Sequence, residues 1–419
     1  MTLPTHYPQQ PTATHPTHLT HSPHFTHSPH FTHPPTPPMT LHVFNPEHDI
    51  ALAANLANFT PPHAARQLRH DLGFLPALWA AAGDAVLVDD ADAARASLQR
   101  LAADARQRLR IGINTECWWL CAKKAQVTVG GVSPWGWDAA LRARLRRLGV
   151  ADSILPGDDQ LRQIRQLSHR STASRLMAML KADAIDGLTG ELPAECTTTD
   201  EVERAMAQHT HSVIKAPWSS SGRGVRFVEA PLPTPRLTVS PPHHSLYGWL
   251  RNVLRQQGSV VVEPCYDKVK DLALEYEAMA DGTLRYCGLS LFHTVNGAYT
   301  ANILATEQTK RQMLSHYLPG QLLEKVSQRI RHHLTAILQG HYQGPIGVDM
   351  MICHGNSAPL TVQENTGEPN LLLHPCVEVN LRRTMGHVAL ALSPADNHVV
   401  CTMTVRHGSI SIENHLNTY

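Results

Sequence analysis

From Leu41 onward, short apolar runs alternate with stretches whose apolar residues recur at helical spacing, and the order of the two predicts the architecture. Residues 41–44 and 85–88 read as strands, 63–72 and 91–108 as helices, and 109–113 as a third strand. The first of these helices is announced by Thr60-Pro61-Pro62, a capping hydroxyl followed by proline at the first turn. Strands that alternate with helices predict a parallel, Rossmann-like sheet. After the turn Pro156-Gly157-Asp158 the pattern changes. A helical stretch to about residue 184, a turn at 187–190 and a short helix at 199–208 precede a strand ending in Lys215. Residues 245–256 read as helix and 259–264 as a buried strand stopped by proline, while 271–278, 284–291 and 298–304 form an antiparallel meander. A long amphipathic helix at 321–338 follows, apolar at 322, 326, 330, 334 and 337.

Two late strands carry polar residues in an ordered way. In Gly347-Val348-Asp349-Met350-Met351-Ile352 alternation sets Asp349 on the face opposite Val348, Met350 and Ile352. In Cys376-Val377-Glu378-Val379-Asn380-Leu381-Arg382, residues 378, 380 and 382 share one face and 377, 379 and 381 the other. A carboxylate, an amide and a guanidinium in line on an otherwise apolar strand are costly to bury without partners. Asp349, Glu378 and Asn380 offer the hard oxygen ligands that Mg²⁺ or Mn²⁺ takes, with Arg382 placed to stabilise negative charge beside them. Glu364-Asn365 is set aside, because adjacent strand residues point to opposite faces. An exposed strand edge with ordinary polar residues is the alternative.

A second constellation lies upstream. Lys215 ends an apolar run, Ser219, Ser220, Ser221, Gly222, Arg223 and Gly224 follow, and a β-prone run starts at Val225. Such a loop can lay backbone N–H groups and hydroxyls against phosphate oxygens, with Lys215 and Arg223 adding positive charge. No G-x-x-x-x-G-K-[ST] is present, so it is not a P-loop. A plain hairpin turn is the alternative here. A strand ending in Glu263-Pro264 suits a hinge that reads an adenine edge, and Asp271 is placed to take a ribose hydroxyl. At the carboxyl end of the first parallel strand, Asn45, Glu47, His48 and Asp49 are candidate substrate contacts. A helix-capping loop with internally satisfied groups reads equally well. The basic helix after Trp137, with Arg142, Arg144, Arg146 and Arg147, reads as a solvated face.

Bulk properties narrow the class. With 419 residues the chain holds two or three domains, and 36 basic against 35 acidic residues point to small substrates rather than nucleic acid or an anionic membrane. The eight cysteines contain no C-x-x-C pair, which suits a reducing cytoplasm, and no uncharged apolar run approaches the length of a membrane span. Residues 1–38 form a Thr/Pro/His tract with an exact repeat, 20–25 and 26–31, and a histidine at every third position from His15 to His33. It reads as a disordered, dispensable tail, with a metal-binding polyproline II edge as the alternative. Met1-Thr2-Leu3 is echoed at Met39-Thr40-Leu41, so Met39 is expected as the translation start.

A Lys-bearing strand with a Ser/Gly flap, a hinge glutamate, a strand aspartate and a downstream E-x-N-x-R resemble, in that order, the ATP-grasp superfamily over about residues 166–386. The resemblance implies a Rossmann-like N-terminal domain followed by an ATP-grasp fold of two α+β subdomains. The expected division is 1–38 tail, 39–165 Rossmann-like, 166–258 small subdomain with the flap and 259–419 large subdomain with the metal site. It further implies ATP with Lys215 on the phosphates and Glu263 at the adenine, and magnesium on Asp349, Glu378 and Asn380. The implied activity is a ligase that phosphorylates a carboxylate and lets an amine or thiol displace the phosphate. A phosphotransferase and a non-catalytic nucleotide-binding regulator are the alternatives. Where many such ligases carry an arginine two positions before the metal aspartate, this chain has Gly347, leaving Arg382 to act alone or with Arg223. The first lysine that the resemblance implies has no evident counterpart near the start of this region, and Arg170 or Arg175 is expected to stand in for it.

Overall fold

Three sheets organise the chain, and each follows from a different sequence pattern. The computed structural model describes residues 39–121, 128–219, 222, 224–229, 241–355, 370–406 and 408–415, all within one compact unit, Pro38–Tyr419. The His/Pro/Thr tract lies outside the described residues, as do Ser220, Ser221, Arg223 and Glu364-Asn365. The first sheet comprises β1 (Thr40–Val43), β2 (Ala85–Val88), β3 (Trp118–Cys121) and β4 (Gly131–Pro134), parallel throughout in the order β3-β2-β1-β4. Helices α1 (His48–Ala54), α2 (His63–Leu72), α3 (Ala91–Arg108) and α4 (Ala139–Arg147) accompany it. The side chain of Asp90 accepts from the N–H groups of Asp92 and Ala93 and so caps α3.

The third strand is not at residues 109–113. Leu109 and Arg110 terminate α3, Arg110 with a left-handed φ of 59° that no strand accommodates, and Trp118–Cys121 pairs with β2 instead. The basic face of α4 is solvated only at Arg146 and Arg147. Arg142 is buried against the carbonyl of Pro156 and the carboxylate of Asp158, and Arg144 reaches Asp89.

Next come α5 (Asp158–Leu167), α6 (Ser171–Ala182), β5 (Ala194–Cys196), α7 (Thr199–Met206), β6 (His211–Lys215), β7 (Val225–Glu229), α8 (Pro241–Gln257) and β8 (Val260–Pro264). Thr198 and Glu201 close a reciprocal capping box on α7. The second sheet runs β5-β8-β6-β7, all antiparallel. The division expected at 258/259 assigns β8 to the large subdomain, yet its hydrogen bonds lie in this small sheet with β5 and β6. Conversely, Ile164 and Leu167 of α5 and Leu176, Met177 and Leu180 of α6 sit in the core of the third sheet.

That sheet has seven strands: β9 (Lys268–Ala278), β10 (Leu284–Val295), β11 (Ala298–Leu304), β12 (Gly344–His354), β13 (Leu371–Asn380), β14 (Cys401–Arg406) and β15 (Ser409–Asn414), with α9 (Glu307–Leu314), α10 (Gly320–Leu338) and α11 (Met385–Ala391) between them. Its order is β13-β12-β9-β10-β11-β14-β15, so the meander is present and β12 and β13 are adjacent and antiparallel. Leu272, Leu274 and Tyr276 of β9, Ile346, Val348, Met350 and Ile352 of β12, and Leu322, Val326, Ile330, Leu334 and Ile337 of α10 form one apolar layer. Period two on the strands meets period 3.6 on the helix there. The opposite face of β9, β12 and β13 carries the polar residues.

Candidate functional site

On that polar face, Asp349 of β12 stands directly opposite Glu378 of β13, and Gly347 stands opposite Asn380. Residues so paired bring their Cβ atoms to about 5 Å. Asn380 Nδ2 donates to Asp349 Oδ2 at 3.1 Å. Asp349 keeps part of its surface accessible, and the desolvation its carboxyl feels, followed by the charges of Glu378 and Glu275, pushes its pKa well above the usual carboxylate range. Two opposed carboxylates with an amide oxygen beside them form a hard-donor set that calls for a cation. Among the described residues no group of three or more His, Cys, Asp or Glu side chains converges as a metal nest, so this set is two acids plus Asn380. Such a donor set fits a divalent cation whose remaining positions go to other oxygen ligands.

Guanidinium groups flank the pair. Arg382, just beyond β13, donates Nε to Asp49 Oδ2 at 2.9 Å and to Oδ1 at 3.2 Å. Asp49, Glu378 and Asp349 together hold its pKa up against the desolvation that would lower it. Arg170, at the start of α6, lies 3.3 Å from Glu378 Oε2 through Nη1, donates Nε to the carbonyl of Ala216 at 2.8 Å and Nη2 to Ser219 Oγ at 3.2 Å. It ties the flap of the small sheet to the carboxylate strand. Arg175 is exposed on the outer side of the same helix.

The flap joins β6 and β7, with Lys215 opposite Val225. Its described residues need glycine: Gly222 has φ of 71°, and a Cβ at Gly224 would lie 2.3 Å from Ser219 Oγ. Gly222 packs on the backbone of Gly297 in the β10–β11 turn, so the flap reaches the large sheet. Lys215 and Glu263, on adjacent strands and diagonal in register, form a buried ion pair. Beside them is His374, 3% exposed, edge-on to Tyr266 at 5.1 Å, its Nδ1 without a partner and its pKa lowered by burial to about 4. Asp271 lies on the same face as Asp349, two residues from its register partner Ala273, and accepts from Lys268 Nζ at 2.6 Å and Thr294 Oγ1 at 2.8 Å.

Of the four polar residues after β1, three find partners close to their own sheet, Glu47 through only one of its two oxygens. Asn45 Nδ2 donates to the carbonyl of Gly136 at 2.8 Å and to Asp138 Oδ2 at 3.1 Å, His48 Nδ1 is 3.4 Å from Asp138 Oδ2, and Glu47 Oε1 accepts from Arg69 at 2.6 Å. Asn45 and His48 are 2% and 1% exposed, so neither presents its side chain to solvent. Asp49 alone points to the carboxylate strands, through Arg382.

One residue near the site has no counterpart among the sequence candidates. Glu275 of β9, 1% exposed, accepts from Thr384 Oγ1 at 2.8 Å, has His387 Nδ1 3.0 Å away, and contributes to the raised pKa of Asp349. Its signal was present as a glutamate at period two from Asp271 in an apolar strand. It also accounts for Gly347. A Cβ there would lie 2.7 Å from Thr384 Cγ2 and 2.8 Å from Glu275 Oε2, so the arginine of the look-alike ligases has no room at this position.

No protein-family model matches the chain, and no curated protein does. Among solved structures it is similar to N5-carboxyaminoimidazole synthetase from Staphylococcus aureus complexed with ADP, at 11% identity over 87% of this chain and 82% of that one, TM-score 0.41. It is similar also to a biotin carboxylase–ATP complex from Campylobacter jejuni, at 12% identity over 88% and 75%, TM-score 0.44. A third is the biotin carboxylase domain of Hydrogenobacter thermophilus 2-oxoglutarate carboxylase with MgADP and bicarbonate, at 12% identity over 88% and 74%, TM-score 0.43. Along the chain, a parallel sheet is followed by a small antiparallel sheet bearing Lys215 and Glu263 and then by a large antiparallel one bearing Asp349, Glu378 and Asn380.

Proposed function

We propose that the protein is an ATP- and Mg²⁺-dependent ligase that activates a carboxylate as an acyl phosphate for attack by an amine or a thiol. The observation that supports it most is the opposition of Asp349 and Glu378 across β12 and β13, with Arg170 and Arg382 beside them. Asp349, Glu378 and Asn380 would hold the cation, which when bound neutralises phosphate charge and orients the transferring group.

The chain's own residues do the remaining work. Lys215 and Arg170 supply charge for the β- and γ-phosphate oxygens, and the described part of the flap, with Ser219, Gly222 and Gly224, covers them. The Lys215–Glu263 pair then exchanges partners: the ammonium turns to phosphate and Glu263 becomes free to accept from the adenine amino group. Asp271 is the candidate for the ribose. Arg382, steadied by Asp49, faces the region where negative charge moves from the substrate carboxylate onto the phosphoryl group. The carboxylate oxygen attacks the γ-phosphorus, ADP leaves, and the amine or thiol then displaces phosphate from the acyl carbon. No protein nucleophile is required, because alignment and charge neutralisation carry phosphoryl transfer.

The test is product analysis with paired carboxylate and amine substrates. ADP and phosphate released together, only when both are present, support the ligase. ADP without phosphate identifies a phosphotransferase. ATP binding with no turnover in any pair identifies a regulator.

A further inference from the structure

The carboxyl-terminal edge of the parallel sheet carries charged groups that the nucleotide reading leaves unused. Glu47 follows β1 and Asp89 follows β2, at the strand ends where open α/β sheets collect ligands. Arg69 of α2 bridges them, Nη1 to Glu47 Oε1 at 2.6 Å and Nε to Asp89 Oδ2 at 3.2 Å. Arg144 of α4 donates Nη2 to Asp89 Oδ1 at 3.3 Å.

Two needs stay unmet in this group. Glu47 is 7% exposed and its Oε2 has no hydrogen-bond partner, although the other oxygen of the same carboxylate is tightly paired. A buried carboxylate oxygen without a donor is a standing cost, so the position calls for an N–H or O–H group. Arg144 has the opposite need. It is largely shielded, and its guanidinium makes one hydrogen bond among the described residues, the long one to Asp89. Burial and Arg69 lower its pKa while Asp89 and Glu47 raise it, and with five N–H donors in the fork the group has donors to spare for a further acceptor.

We infer that this strand end binds a small zwitterion, its ammonium on Glu47 Oε2 and its carboxylate on Arg144. Glu47 is two residues from Asp49, so their Cα atoms lie within about 7 Å. Asp49 holds Arg382 of the carboxylate site. A zwitterion seated here is therefore placed as the amine co-substrate, a role that rests on the ligase reading, whereas its binding does not.

The experiment is calorimetric titration of the full chain with each of the twenty common amino acids and β-alanine, with methylammonium and acetate as single-charge probes and ATP titrated in parallel. One zwitterion is expected to bind saturably at one per chain, at least tenfold more tightly than either single-charge probe. Glu47→Gln, which is isosteric, and Arg144→Gln, which is shorter and uncharged, each weaken it tenfold or more while far-ultraviolet circular dichroism is unchanged. No zwitterion bound, acetate bound as tightly as any of them, or binding indifferent to both substitutions overturns the inference. ATP binding without zwitterion binding overturns it alone, and zwitterion binding without ATP binding overturns the nucleotide reading and leaves this one standing.

Discussion

Arg382 Nε donates to Asp49 Oδ2 at 2.9 Å across 333 residues of chain, joining the polar loop after the first strand to the end of the E-x-N-x-R strand. Both side chains are largely buried, at 14% and 16% exposure, so removing either leaves a shielded charge. Asp49→Ala is expected to cost about 2 kcal/mol of stability, at the low side for an orphaned buried charge. Turnover is expected to fall more than tenfold with the KM for ATP little changed, because Arg382 loses its orientation rather than its charge. Denaturant melts and steady-state kinetics on the same preparation check both.

Loss of a candidate metal ligand has a sharper consequence. Glu378→Ala is expected to abolish ATP-dependent phosphate release by about two orders of magnitude or more, in line with removal of preorganised charge stabilisation. The parent protein is expected to melt at a higher temperature in millimolar Mg²⁺ plus ATP, and the variant to lose that rise. Retained turnover in this variant would sink the assignment of Asp349, Glu378 and Asn380.

Arg170 and Arg175 were equivalent candidates in the sequence, and only the first reaches the site. Arg170→Met removes charge-assisted bonds to the Ala216 carbonyl, Ser219 and Glu378. At about 1.5–3 kcal/mol for such bonds, the KM for ATP is expected to rise about tenfold or more. Arg175→Met is expected to behave as the parent, and equal effects in the two variants contradict the placement.

His374 gives the stability a pH slope. Burial lowers its folded pKa from 6.5 to about 4, so the unfolded chain takes up the proton first as the pH falls. Its contribution is intact above pH 6.5 and is lost between there and about pH 4. At about 1.4 kcal/mol per pKa unit, the loss is about 3–4 kcal/mol. His374→Phe is expected to flatten that part of the curve, measured as unfolding free energy at half-unit steps.

Gly347 tests the packing behind the site. An alanine there meets Thr384 Cγ2 and Glu275 Oε2, and overpacking of this kind costs about 1–3 kcal/mol. Thr384→Ser keeps the hydroxyl that Glu275 accepts from and removes the methyl. The double variant is expected to recover part of the lost stability, read from thermal melts of both single variants and the pair.

What the sequence determined by itself is what depends on neighbours along the chain. Alternation at 347–352 and 376–382 placed Asp349, Glu378 and Asn380 on polar faces, because a strand's period of two is set by its own backbone. Ser, Gly and Lys around 215–224 announced a turn between two strands for the same reason.

Tertiary structure decided whatever depends on distant partners. Asn45 and His48 are polar and follow a parallel strand, as ligand-binding residues do, yet Gly136 and Asp138, some ninety positions away, already satisfy them. The strand at Trp118–Cys121 exists because β2 offers it a ladder, whereas 109–113, apolar at three of its five positions, joins none. Glu275 is beside Asp349 only because β9 falls next to β12 after an intervening seventy residues. Burial, charge and hydrogen bonding across such gaps are properties of the packed chain, and no local pattern encodes which of several suitable side chains the fold will bring together.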